Sequence, residues 1–197
     1  MSILKVARMG HPVLRAKARP LEKAEIRSAS VQQLIDDMLD TMAEYHGVGL
    51  AAPQVHEGVR IFVAALGTGD DDDADGEAIA IINPEVTILG SEMVEDWEGC
   101  LSIPDIRGRV PRAREVKVRG FDRTGARLEL NAHDFPARVI QHETDHLDGR
   151  LYVSRLGGRT LRKANQDMKA SDWWGTYIKP VNEAPPEDQD PDAPPME

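Results

Sequence analysis

His142-Glu143-Thr144-Asp145-His146 puts two imidazoles and a carboxylate within five consecutive positions. On a helix, residues four apart lie on one face, one turn apart, so both rings can close on a single cation. Glu143 is rotated ~100° from His142, near enough to reach a water activated at that cation without ligating it. The plain alternative is two histidines on a solvated helix face. A catalytic metal usually takes three protein ligands and leaves one position open. Downstream of His146 there is no further His or Cys, and Asp148 follows the helix too closely to turn back onto it. Upstream stands the single cysteine, Cys100, in the run Trp97 to Ser102. A thiolate is a strong ligand for iron or zinc, whereas a lone cysteine with no such role is a small buried hydrophobe.

A further segment, His46-Gly47-Val48-Gly49-Leu50-Ala51-Ala52-Pro53-Gln54, has the character of a ligand-facing turn. Its glycines permit close backbone approach. Gln54 follows a proline that stiffens the chain, so its amide is a candidate oxyanion donor. The same run also reads as an ordinary turn after a helix.

Elements must hold these groups. The apolar positions Val31, Leu34, Ile35, Met38, Leu39 and Met42 recur at helical spacing and predict a helix from Ser30 to about His46. Ser30 with Gln33 would form its capping box, and Gly47 would end it in a left-handed conformation. A second helix is expected from about Pro136 to Leu147, capped by Asp134 and stopped by Gly149. A third, more polar, is expected from Arg159 to about Ser171. Strands are expected at Arg60–Leu66, Ala78–Ile82 and Val86–Leu89, the last two separated by Asn83-Pro84. Glu115–Arg119 and Arg127–Leu130 should form a hairpin through Asp122-Arg123-Thr124-Gly125. Strands between helical segments, without strict alternation, indicate α+β with mostly antiparallel sheets.

The chain's 197 residues suit one domain, and 41% hydrophobic content is that of a globular protein. A formal charge of −10 argues against nucleic-acid binding. No stretch approaches the ~18 apolar residues of a membrane span, and no signal peptide is evident. The lone cysteine forms no internal disulfide, so the cytoplasm is the expected location. Acidic residues gather at Asp70 to Glu77 and after Val181. In the first cluster, Asp71, Asp73, Asp75 and Gly76 match the opening of an EF-hand loop. The twelfth position is Ile82 instead of Glu, so a solvated connection between strands is the reading preferred. The second is proline-rich and lacks Lys and Arg. A catalytic domain over 1–179 and an acidic disordered tail over 180–197 are therefore expected.

Taken together, Gly47 to Gln54, Glu98 to Ser102 and Gln141 to Gly149 resemble the three signatures of peptide deformylases, GxGLAAPQ, EGCLS and QHExDHLxG. The opening from Ile3 through Arg15 is also similar, so the resemblance spans about residues 3 to 156. It implies mostly antiparallel sheets around a central metal-binding HExxH helix. It implies Fe²⁺, replaceable by Zn²⁺, Ni²⁺ or Co²⁺, on Cys100, His142 and His146, with Glu143 as acid/base. Gln54 and the Leu101 N–H would hold the oxyanion, and Gly49 would approach the substrate backbone. Val48 and Val139, with the His142 ring, would line a methionine pocket. The reaction implied is removal of the N-formyl group from the initiator methionine of nascent polypeptides, near the ribosome, by a monomer. A zincin-like endopeptidase lacks a downstream ligand here, and a silent peptide-binding relative would normally lose one of the four residues. His56, where the family often has Gly, and Ser154, where it often has Asp, depart from the pattern.

Overall fold

The computed structural model describes residues 2–67 and 78–156, together with the backbone of 161–163. The acidic loop at 70–77, the domain end near 179 and the tail at 180–197 lie outside the described residues.

A short helix, α1 (Lys23–Ile26), precedes α2 (Ala29–Glu44). Three short-to-long strands follow, β1 (Gly49–Ala51), β2 (Ile61–Ala65) and β3 (Ala78–Cys100). Then come β4 (Ile103–Phe121), β5 (Arg127–His133), the helix α3 (Asp134–Leu147) and the strand β6 (Leu161–Lys163). The strands pair antiparallel in the order β1-β2-β3-β4-β5, with β6 also on β4.

Burial alternates with the pleat at one end of this sheet. Leu50, Ile61, Val63, Ala80 and Ile82 join the α2 stripe of Val31, Ile35, Met38 and Met42 in one core. Ala51, Phe62, Ala64 and Ile81 join Ala137, Val139, Ile140 and Leu147 of α3 in another. The two helices therefore cover opposite faces of β1, β2 and the start of β3. Every residue from Ile61 to Ala64 is consequently buried, which is why that strand reads as a continuous apolar run. Each fully buried aliphatic side chain contributes ~1.5–3 kcal/mol.

Several expectations need correction. The cap of α2 is Ser28, whose Oγ accepts from Val31 N at 3.3 Å, and Gln33 instead bonds Asp37. At the other end His46 takes the left-handed conformation (φ 51), with His46 N donating to Ala43 O and Gly47 N to Met42 O. That is a Schellman stop one residue before the glycine. Gly47 is small for a different reason, because a Cβ there would press on Leu101. Asp134 begins α3 with φ 54 and bonds Arg114 and His133, so it does not cap the helix. Gly149 stops α3 as expected, at φ 71.

Asn83-Pro84 does not break the strand. A register shift between Ile82 and Glu85 absorbs the proline, and the Asn83 amide exchanges hydrogen bonds with both backbone groups of Leu21. β3 and β4 also run far beyond the segments expected. Much of β3 beyond Val86 is exposed, so it carries no burial alternation for a sequence to display. In the stretch expected as a third helix, Leu161–Lys163 is strand.

Candidate metal centre

The long β3–β4 pair ends in a tight turn at Leu101-Ser102, with Cys100 opposite Ile103 as its last rung. This turn delivers the Cys100 thiol to the buried face of α3. There Cys100 Sγ lies 3.3 Å from His146 Nε2. Cys100, His142 and His146 are all buried, and each offers a ligand atom within 4.8 Å of the others. The helical spacing thus does what the sequence required, and the turn supplies the third donor.

Glu143 is 4% exposed, and its Oε2 has no hydrogen-bond partner among the described residues. Burial pushes its carboxyl up to about 7, opposed by the charge of His142 and assisted by that of Glu98. A Cβ on Gly49 would overlap the Glu143 carboxylate, so β1 passes against the Glu143 side of α3 only because position 49 has no side chain. Gly49, expected to approach the substrate backbone, lies against the Glu143 side chain.

Gln54 sits in the 3-10 turn Ala52–Val55 after β1 and is 2% exposed. Its Oε1 accepts from Ala51 N at 2.9 Å. Its Nε2 donates toward Cys100 Sγ at 3.4 Å and Ser102 Oγ at 3.3 Å. Gln54 and the Leu101 turn therefore flank the same thiol. His56 closes the 3-10 turn at φ 70, a left-handed position in which Gly is favoured and His is tolerated. Ser154 bonds its own turn, Oγ to Leu151 O at 2.7 Å. Neither departure reaches the centre.

An open pocket adjoins the pair His142 and Glu143. Val48, Val139 and Phe135 form its apolar lining. Both valines expected there are present, and Phe135 is an addition.

Sequence reasoning missed the charged groups behind the histidines. Glu98 Oε2 bonds His142 Nδ1 at 2.9 Å, which leaves Nε2 of that ring for a ligand. Arg112 grips both Glu98 oxygens at 2.8 Å and reaches Asp145 at 2.6 Å. Arg138 also donates to Glu98 at 2.8 Å, and Arg155 holds Asp145 with two donors. Burial alone would raise the Glu98 carboxyl, but hydrogen bonds from Arg112 and His142 outweigh it and hold the group well below the usual carboxylate range. Glu98 and Asp145 lie inside the motifs and were visible there as acidic residues. Arg112 carried no signal, since only the strand pairing brings it near.

The residues fit a cation. Their donor set of one thiolate and two imidazoles suits iron or zinc, and beside it Glu143 Oε2 is a buried polar atom without a partner among the described residues. An antiparallel sheet packed on a helix that carries two imidazoles and a carboxylate beside a thiol has the make-up of a metal-assisted hydrolase. The model of the polypeptide deformylase family matches residues 3–162. Peptide deformylase 2 of Nostoc sp. is 43% identical over 156 residues, 78% of this chain and 86% of that protein. Peptide deformylase 1 of Bordetella pertussis is 44% identical over 155 residues, 77% of this chain and 86% of that one. The structure of a class I type b peptide deformylase from Acinetobacter baumannii bound to Met-Ala-Ser has a TM-score of 0.72 at 41% identity, covering 78% of this chain and 98% of its own. That of the Thermotoga maritima peptide deformylase has the same TM-score at 36% identity, covering 80% and 99%. The chain belongs to the peptide deformylase family. Its activity is hydrolytic removal of the N-formyl group from new polypeptides.

Proposed function

We propose that Cys100, His142 and His146 hold one divalent cation, Fe²⁺ in the cell with Zn²⁺, Ni²⁺ or Co²⁺ able to replace it, and that Glu143 is the proton carrier of the reaction. The observation that carries this reading is the meeting of three buried donor atoms beside a buried carboxylate with an unsatisfied oxygen. When bound, the cation supplies Lewis acidity, polarising the formyl carbonyl and making a nearby water more acidic. Glu143 accepts a proton from the attacking water and passes it to the amine nitrogen as the C–N bond breaks. A carboxyl held near neutrality by burial suits both halves of that transfer. The Gln54 amide and the Leu101 N–H donate to the developing oxyanion. Glu98 fixes the His142 ring so that Nε2 faces the centre.

The substrate is the formyl-methionyl end of a nascent chain. Its methionine side chain occupies the pocket of Val48, Val139 and Phe135, with the His142 ring as a wall. Among the described residues β1 is the end strand of the sheet, so an extended peptide can lie along its outer edge past Gly49. Crowding of the carbonyl by Gln54 and the Leu101 turn admits hydrogen and disfavours a methyl group. The enzyme works as a cytoplasmic monomer at or near the ribosome, with α3 as the central metal-binding helix of a catalytic domain over 1–179. No helix of the described residues is long and apolar enough to cross a membrane.

The test is turnover of formyl-Met-Ala-Ser under anaerobic conditions with bound metal quantified. Release of formate, at least ~100-fold faster than release of acetate from acetyl-Met-Ala-Ser, supports the reading. Equal rates, or cleavage between Met and Ala, would overturn it.

A further inference from the structure

The segment before the 3-10 turn Pro12–Arg15 touches both candidate oxyanion elements at once. Ala7 N donates to Gln54 O at 2.7 Å, and Met9 N donates to Ser102 O at 2.8 Å. Between them, Arg8 Nη1 donates to Leu101 O at 3.0 Å. Three successive residues thus bond three carbonyls on two turns that meet only at the site. On the inside, those turns are joined by the Gln54 amide to Cys100 Sγ and Ser102 Oγ. On the outside, the tripeptide closes the frame. Gly10 then turns the chain away at φ 105, with His11 N bonding back to Arg8 O.

The Ala7 bond belongs to the packing of the fold, since Ala7 is buried. Arg8 differs, because its side chain is exposed and buries no core surface. Its side-chain hydrogen bond goes to the carbonyl of the residue whose N–H faces the reaction. In this turn the Ser102 carbonyl is held by Met9 N and the Ser102 hydroxyl by Gln54 Nε2, while among the described residues Arg8 Nη1 is the donor that meets the Leu101 carbonyl. Oxyanion donors act only if held near the productive geometry, so small tilts matter more to rate than to stability.

We propose that Arg8 is a positioning residue, which clamps the Leu101 turn against the Gln54 turn so that their donors converge on one oxygen. This rests on the reading that Gln54 and Leu101 N–H form the oxyanion site.

Arg8→Met keeps the aliphatic stem and removes the donor, while Arg8→Lys keeps a donor. With formyl-Met-Ala-Ser, Arg8→Met should lower kcat about tenfold, well short of the ~10²-fold that a 1 Å misplacement produces. KM, bound metal and Tm should stay near wild type, and Arg8→Lys should recover most of kcat. Amide hydrogen exchange of metal-free protein gives a second readout: peptides spanning 97–104 should exchange faster in Arg8→Met, with α2 and β5 unchanged. Wild-type kcat in Arg8→Met, or loss of metal or Tm in step with kcat, would overturn the proposal. So would unaltered exchange over 97–104. If wild-type protein releases no formate, the reading of the reaction fails, and the exchange comparison still decides whether Arg8 clamps the turn.

Discussion

Gly49 Cα lies so close to the Glu143 carboxylate that a methyl group at position 49 would occupy the space of Oε1. The strand and the helix are locked in that contact, since β1 pairs with β2 and both pack on α3. Gly49→Ala should therefore displace the Glu143 carboxylate without disturbing Cys100, His142 or His146. The expected outcome is a kcat at least ~10²-fold lower with a full equivalent of metal, the scale of a misplaced acid/base group. Steady-state kinetics with metal analysis checks it, and wild-type kcat would show that the carboxylate has room to spare.

Burial of Glu143 has a pH signature in metal-free protein. Its carboxyl is pushed up to about 7 in the fold, against ~4.3 in an unfolded chain. A carboxyl with a raised folded pKa destabilises the fold by an amount that builds from ~4.3 to about pH 7, is complete above about pH 7 and is absent below ~4.3. Glu143→Gln should therefore stabilise metal-free protein at pH 8, by up to ~3 kcal/mol. The gain should shrink to under about a third of that by pH 5. Denaturant titrations at the two pH values measure it, and an equal difference at both would mean that the carboxylate is solvated.

Cys100→Ala should purify with a small fraction of the wild-type metal, because the two imidazoles alone leave the cation under-held. Ser102→Ala, which removes only the acceptor of a Gln54 bond, should retain it. Peroxide should inactivate the Fe²⁺-loaded wild type, since a thiolate at an open position is readily oxidised. Tight stoichiometric metal in Cys100→Ala would point to another ligand.

Glu98→Gln removes the charge shared by Arg112, Arg138 and His142. Leaving buried arginines short of a counter-charge should cost about 3–5 kcal/mol of stability. Freeing the His142 ring should weaken metal binding by ~10–100-fold. Chemical denaturation and metal competition are the measurements, and a variant within ~1 kcal/mol of wild type would mean that the arginines have other partners.

The sequence displayed the parts of this molecule that repeat or cluster locally. The α2 stripe, the Asp122–Gly125 hairpin turn and the HExxH helix were all legible, because period and turn chemistry are properties of neighbouring residues. In that turn the Asp122 carboxylate takes the N–H groups of Thr124 and Ala126, as such a turn requires. The middle of β3 was not legible, since its residues from Gly90 to Asp96 are exposed on both sides of the pleat. Nor was the Glu98–Arg112–Asp145 group. Its members lie 14 and 33 positions apart, and only the pairing of β3 with β4 and the packing of α3 beside them bring them together. The cap at Ser28 was mistaken for Ser30 because both serines precede the same apolar stripe, and only the hydrogen bond to Val31 N distinguishes them.

The proposed division of roles, in which Glu143 moves the proton while Cys100, His142 and His146 hold the cation, is open to one decisive measurement: formate release and bound metal together in Glu143→Gln, at pH 7 and saturating formyl-Met-Ala-Ser. A full equivalent of metal is expected, with turnover lower by ~10²–10⁴-fold, the loss that follows from a missing acid/base group. Turnover within threefold of wild type at full metal occupancy would contradict it, as would a loss of metal equal to the loss of turnover.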